Sequence, residues 1–178
     1  VITLHDVEQG SPTWFKLREG KYTGSGAYKL LTRPKQDYFL DEDKDFKGNF
    51  FTERGHLLEP EAIHLFERIK KIDVLKIGFV TNDKYPDCGY SPDGLLSNAV
   101  IEVKSFMKPN HTELLKAQAE TLPLKILAQV HFGMMICELP VAYLIAYNPK
   151  MQEVKDRLKI IEIKQKKSII NNFKRILE

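Results

Sequence analysis

Cysteine is scarce: Cys88 and Cys137 are the only two in 178 residues. Neither has the Cys-x-x-Cys or Cys/His spacing of a zinc site, and two thiols cannot supply a four-cysteine iron–sulfur cluster. A disulfide framework is therefore not expected, and a reducing compartment such as the cytoplasm fits best. Long apolar runs are missing as well. Each is interrupted within a few residues, so neither a membrane span nor a secretory leader is expected. Charge of one sign is also missing: 27 Lys plus Arg against 24 Asp plus Glu leave a net +3. With no global attraction for a polyanion, any nucleic-acid surface must come from local clustering. No repeat is visible. What is present is ordinary for a globular fold, 43% hydrophobic and 29% charged residues, in a length that suits one domain, 1–178, with a sizeable core.

Ser11 followed by Pro12 opens a short helix over residues 11–19, closed by Gly20. Thr23-Gly24-Ser25-Gly26 then opens a second short helix, in which Ser25 either caps the helix or faces an anion together with the free N–H groups. Residues 33–51 have no settled period and read as a loop or irregular insertion. From residue 51 or 52 to 69, Leu57, Leu58, Ala62, Leu65, Phe66 and Ile69 recur at helical spacing, with Pro60 expected to kink or restart the helix. Extended segments follow at 74–80, 89–91, 95–96 and 99–104, punctuated by turns at 82–84, 92–94 and 97–98. Residues 112–137 read as helix interrupted at Pro123, 141–147 and 158–163 as strands, and 166–177 as a closing amphipathic helix. The sum is an α/β (α+β mixed) chain: a central mixed β-sheet flanked by helices.

The chemistry concentrates between Tyr90 and Ser105. Pro92-Asp93-Gly94 puts a carboxylate at a turn, and Glu102-Val103-Lys104 puts an acid and a base on one face of an otherwise apolar strand, because side chains two apart share a face. Glu102 and Lys104 alone could be a structural ion pair. A hairpin that brings Asp93 beside Glu102 changes the reading, since two close carboxylates repel unless a cation bridges them. Mg²⁺ suits carboxylate oxygens, a backbone carbonyl such as that of Val103, and retained waters. Lys104 could then orient a water for attack on a phosphodiester. Glu59, or in competition Glu61, could add a carboxylate from its helix, and Gln129 in Ala128-Gln129-Val130 could hold Lys104 or the water, unless it only makes a helix hydrogen bond at a core edge. His131 is not assigned to metal.

The order Glu59, Pro92-Asp93-Gly94, Glu102-Val103-Lys104, Gln129 resembles the PD-(D/E)XK nuclease superfamily, in particular its phage lambda exonuclease or YqaJ-type recombination branch. Trp14-Phe15-Lys16-Leu17-Arg18 with Thr23-Gly24-Ser25, Gly55-His56-Leu57-Leu58-Glu59 and Tyr147-Asn148-Pro149 fall in the same order as that branch's motifs. The likeness spans residues 14–163, although 35–50 carry no recognisable motif and Pro60 departs from the pattern. It implies a restriction-endonuclease-like core. It also implies Asp93 and Glu102 as metal ligands with the Val103 carbonyl and Glu59 assisting, Lys104 as catalytic lysine with Gln129 as its partner, and Arg18 and Ser25 as the pocket for a terminal 5′-phosphate. The implied activity is Mg²⁺-dependent 5′-to-3′ degradation of linear double-stranded DNA ends, with Mn²⁺ able to substitute. The 3′ overhangs produced would serve a single-strand annealing protein, and the enzyme would be a homo-oligomeric ring of three, in the host cytoplasm if phage-encoded. The alternatives are a structure-specific or site-specific endonuclease with the same centre and an inactive DNA-binding module.

Overall fold

The computed structural model describes residues 1–40 and 50–178. Strand β1 (Ile2–His5) leads into α1 (Pro12–Arg18), where the Ser11 hydroxyl accepts the Trp14 N–H at 3.3 Å and Pro12 occupies the first turn. Gly20, at φ +71°, takes the left-handed turn that follows. After β2 (Tyr22–Thr23) a 3-10 turn, Gly24–Gly26, opens α2 (Ala27–Thr32). Ser25 caps neither element: the residue before α2 is Gly26, with no side-chain cap.

The irregular stretch expected over 33–51 lies partly outside the described residues. Its first part is ordered around an aromatic anchor. Lys35–Asp37 form a 3-10 turn, and Tyr38 is buried with its hydroxyl accepting the Thr23 N–H at 2.9 Å.

Helix α3 (Phe50–Lys70) runs through Pro60 without interruption, so the expected kink or restart does not divide it. Pro60 removes one N–H, which would have gone to the His56 carbonyl. Both residues are exposed, so water can take that carbonyl's bond. Strand β3 (Phe79–Asn82) begins later than expected, because residues before it make only the single bridge Leu75 to Leu95. Then come β4 (Cys88–Gly89), β5 (Gly94–Leu95) and β6 (Ala99–Lys104). The long helical stretch expected over 112–137 is divided into α4 (Lys108–Lys116), a 3-10 turn at Ala119–Thr121, and α5 (Leu124–Cys137), with Pro123 as the residue before α5. The chain closes with β7 (Val141–Tyr147), β8 (Leu158–Lys164) and α6 (Lys167–Leu177).

The main sheet has the order β5-β6-β7-β8. Its central pair, β6 and β7, is parallel, and both flanking pairs are antiparallel. A parallel pair needs a crossover, supplied here by α4 and α5. Helices cover both faces, which is why Val141 to Tyr147 is nearly continuously apolar rather than alternating. On one face Ala62 and Phe66 of α3 pack on Ile101, Ile145 and Tyr147. On the other, α5 and α6 pack over Val100, Ala142, Leu144 and Ala146, with Phe132 and Phe173 at 5.4 Å between ring centroids. This is the mixed α/β fold with a helix-flanked central sheet that the element pattern implies. No described helix is long and apolar enough to cross a membrane.

Candidate active site

The β5–β6 hairpin sets the position of both acids. Gly94 pairs with Ile101, so Asp93 stands one step further along, beside Glu102. Its backbone N–H donates to the Ile101 carbonyl at 3.1 Å, and its Oδ2 accepts the Val103 N–H at 2.7 Å. Glycine at 94 lets Val74 lie close, since a Cβ there would stand 2.3 Å from the Val74 Cγ1. Glu102, 4% exposed, accepts from the Tyr90 hydroxyl at Oε2 (3.1 Å) and from the Lys104 ammonium at Oε1 (3.2 Å). Lys104 also donates to Gln129 Oε1 on α5 at 2.8 Å. Four of the residues singled out in the sequence thus meet at one place.

The electrostatics show a surplus of negative charge. Burial, then Glu102, then Glu59 hold the Asp93 carboxyl well above the usual carboxylate range, and the Val103 N–H and Lys104 offset this only in part. Burial, with Glu102 and Asp93 beside it, likewise pushes the Tyr90 phenol well above its ordinary value, so Tyr90 stays a proton donor.

Glu59 is placed differently. Its largely buried carboxylate pairs with Lys76, whose ammonium also lies 3.5 Å from the Asp93 carbonyl. Among the described residues no three acidic, histidine or cysteine side chains converge closely enough to share an ion, so Glu59 acts on Asp93 across a gap. Its competitor Glu61 is engaged by the Tyr147 hydroxyl, which burial first and Glu61 second push up to about 12. What Val103 brings to Asp93 is its N–H. Its carbonyl as a ligand is an expectation from the sequence.

Arg18 and Ser25 form a second cluster, joined to the first by Ser91. Arg18, at the end of α1, stacks over Trp14 at 4.3 Å and donates to Ser91 Oγ at 3.0 Å and to Ser25 Oγ at 3.4 Å. Trp14 Nε1 donates to the same Ser91 oxygen at 3.0 Å, and Gln9 donates to the Pro92 carbonyl at 2.8 Å. The guanidinium is thereby fixed beside the loop that carries Asp93, an arrangement suited to a phosphate oxygen.

Tyr90, Ser91 and Lys76 carry no role in the sequence reading. The first two immediately precede Pro92-Asp93, where adjacency is a signal. Lys76 gives none, lying 17 residues from both Glu59 and Asp93. His131 is buried and hydrogen-bonded within the fold: its Nδ1–H donates to the Leu127 carbonyl at 2.6 Å and its Nε2 accepts the Lys166 N–H at 3.0 Å, a pairing that assigns the neutral tautomer.

Residues 13–140 match the YqaJ-like viral recombinase domain. The chain belongs to this family. The matched span contains Arg18, Ser25, Glu59, Asp93, Glu102, Lys104 and Gln129, while β7, β8 and α6 of this YqaJ-like chain lie beyond it. Among solved structures, an alkaline exonuclease (LHK-Exo) from Laribacter hongkongensis superposes with a TM-score of 0.81 at 19% identity, covering 94% of this chain and 89% of that one. The same protein in complex with dAMP gives 0.82 at the same identity and coverage. A phage related exonuclease from Haemophilus somnus 129PT gives 0.60 at 15% identity, covering 88% and 90%. At these identities the likeness establishes a shared fold. No curated protein matches the chain.

Proposed function

We propose that this YqaJ-like chain is a divalent-metal-dependent deoxyribonuclease that degrades linear double-stranded DNA from the 5′ end, leaving 3′ overhangs. The observation that carries the reading is the joining, through Ser91, of an arginine–serine pocket to an adjacent pair of acids, half-buried Asp93 and buried Glu102, with a lysine held beside them. The names of the structurally similar exonucleases and the family's description point the same way.

The residues fit a metal. Asp93 and Glu102 stand side by side, and burial first and the Glu102 charge second already oppose ionisation of Asp93. Asp93 and Glu102 would hold a divalent cation, whose charge would offset that opposition. Mg²⁺ suits such an oxygen set, and Mn²⁺ can replace it. Glu59 is positioned to contribute through water or through its field. When bound, the ion polarises the scissile phosphoryl group and lowers the pKa of an attacking water.

The remaining work falls to the chain's own side chains. Gln129 and Glu102 hold the Lys104 ammonium so that it orients the water and stabilises negative charge as it develops on the phosphate. Arg18, with Ser25, receives the terminal 5′-phosphate, which sets the scissile bond at a fixed distance from the acids. In this reading duplex ends are the substrate, a homo-oligomeric ring of three retains the DNA, and a single-strand annealing protein takes the overhang.

The test is digestion of linear duplexes that differ only in a 5′-phosphate or 5′-hydroxyl, alongside closed circular DNA. The phosphorylated end is degraded about tenfold faster or more, one such contact being worth roughly 1.5–3 kcal/mol, and the circle survives. Equal rates remove the role of Arg18, and cutting of the circle replaces the exonuclease reading with an endonuclease.

A further inference from the structure

Tyr90 touches three parts of the site that come from distant stretches of sequence. It is 1% exposed, and its backbone is fixed to β3 by a reciprocal pair, Tyr90 N–H to the Val80 carbonyl at 2.9 Å and Val80 N–H to the Tyr90 carbonyl at 2.7 Å. Its ring fills space left by two glycines. A Cβ on Gly24 would stand 2.6 Å from the ring, and one on Gly133 would stand 2.4 Å from it. Gly24 opens the turn that carries Ser25, and Gly133 lies one helical turn beyond Gln129 on α5. At the far end of this wedge the phenol donates to Glu102 Oε2. Close packing against Gly24, Gly133 and the β3 backbone holds the ring, and with it the position of its hydroxyl.

We propose that Tyr90 is a positioning residue for the Glu102 carboxylate, committing Oε2 to the phenol and presenting Oε1, the oxygen beside Lys104, to the divalent cation. This inference rests on the metal-dependent reading given above. The chemical reason is simple. Lys104 and Tyr90 each engage one oxygen of a buried carboxylate, and a carboxylate that keeps both donors cannot rotate. Without the phenol, one oxygen loses its partner, and the group is free to turn toward the lysine and away from the ion. Gly24 and Gly133 are then small for the sake of the ring, and through it the phosphate pocket, the acid pair and the α5 helix keep one spacing.

The experiment compares the full chain with Tyr90→Phe, which keeps the ring and removes only the hydroxyl. The first readout uses Mn²⁺ or Mg²⁺ alone, without DNA: the rise in melting temperature on adding the metal, and the half-saturating metal concentration. Tyr90→Phe is expected to need roughly threefold to tenfold more metal, and its turnover number on linear duplex DNA to fall about tenfold with an unchanged KM, the pattern for loss of a contact that acts through one hydrogen bond. Gly24→Ala, which drives the ring aside without touching the hydroxyl, is expected to weaken the metal response in the same direction. Should Tyr90→Phe fold poorly, Gly24→Ala decides alone. Equal metal response in wild type and variant overturns the positioning role while leaving the metal reading intact. No metal response in the wild type overturns the metal reading, and this inference with it.

Discussion

Strand β6 serves two faces that differ in almost every respect. Ile101 and Val103 look toward α3 and meet Ala62, Phe66 and Ile145 in a dry apolar layer. Glu102 and Lys104 look toward α5 and meet Tyr90, Gln129 and the Asp93 loop in a layer of buried charge. The apolar face is stabilised by the area it removes from water. The polar face works against stability, since a buried acid is tolerated only through the donors around it. The difference teaches that six residues can anchor a fold with one side and hold reactive groups rigidly with the other, because the apolar side fixes the strand against which the charges are strained.

The sharpest way to break this division is Lys104→Ala. On the polar face it should cut nuclease turnover by roughly 10²–10⁴-fold, the range for a positioned proton-transfer or charge-stabilising group, and lower the melting temperature as well, because Glu102 loses one of its two donors. A large loss of stability at unchanged turnover would show that the two faces are not divided as described. The mirror experiment is Phe66→Ala on the apolar face. Truncating a fully buried ring there should cost about 3–5 kcal/mol in urea unfolding, with turnover per folded molecule little changed.

Asp93→Asn sharpens the comparison, because it should do both things at once. It removes the like-charge crowding that opposes ionisation of Asp93, and the amide oxygen can still accept the Val103 N–H. In metal-free buffer the variant should therefore melt roughly 2–4 °C higher than wild type while losing nuclease activity, and added Mg²⁺ should narrow the gap by stabilising wild type alone. A variant that melts lower than wild type would remove the idea that this face is held under electrostatic strain.

The smallest effect concerns His131, which sits among apolar residues yet is polar itself. Burial lowers its pKa below the ordinary value, opposed in part by the hydrogen bond to the Leu127 carbonyl and aided by the Lys166 charge. A base whose folded-state pKa is depressed contributes stability above its unfolded value, about 6.5, and loses that contribution as pH falls below it, since the unfolded chain then binds the proton more tightly. Protonation would also turn Nε2 into a donor facing the Lys166 N–H. Melting temperature should thus decline between pH 7 and pH 5 with a slope of up to one proton, and His131→Gln should flatten that decline. An unchanged slope in the variant would assign the acid sensitivity to another group.

Much of the site was legible because its residues are close in sequence and carry chemical contradictions. A carboxylate and an ammonium in the otherwise apolar run Val100 to Lys104 ask for a partner, and Pro92-Asp93-Gly94 announces the turn that delivers one. Gln129 was legible as an amide in an apolar helix. Ser25 was only half legible: local pattern allowed a helix cap, whereas the structure gives its hydroxyl to Arg18 and Thr23. Pro60 suggested a break, and exposure of the residues around the missing hydrogen bond removed the need for one. Lys76 was not legible at all, because an exposed lysine before a strand looks like any other until the fold brings it to Glu59. The outcome for residues 41–49, expected to be irregular, lies outside the described residues.

By itself the sequence determined the alternation of helix and strand, the apolar layers on either side of β6, and which types of group stand near one another within the span from Tyr90 to Lys104. These follow from periodicity, turn residues and the cost of burying charge, all local in the chain. Tertiary structure alone decided that the Tyr90 ring fits between two glycines more than a hundred residues apart, that Ser91 joins Arg18 to the Asp93 loop, and that Lys76 rather than a third convergent acid answers Glu59. Such contacts depend on packing between elements distant in sequence, where neighbours are chosen by shape and by the direction of a crossover, and no window along the chain contains both partners.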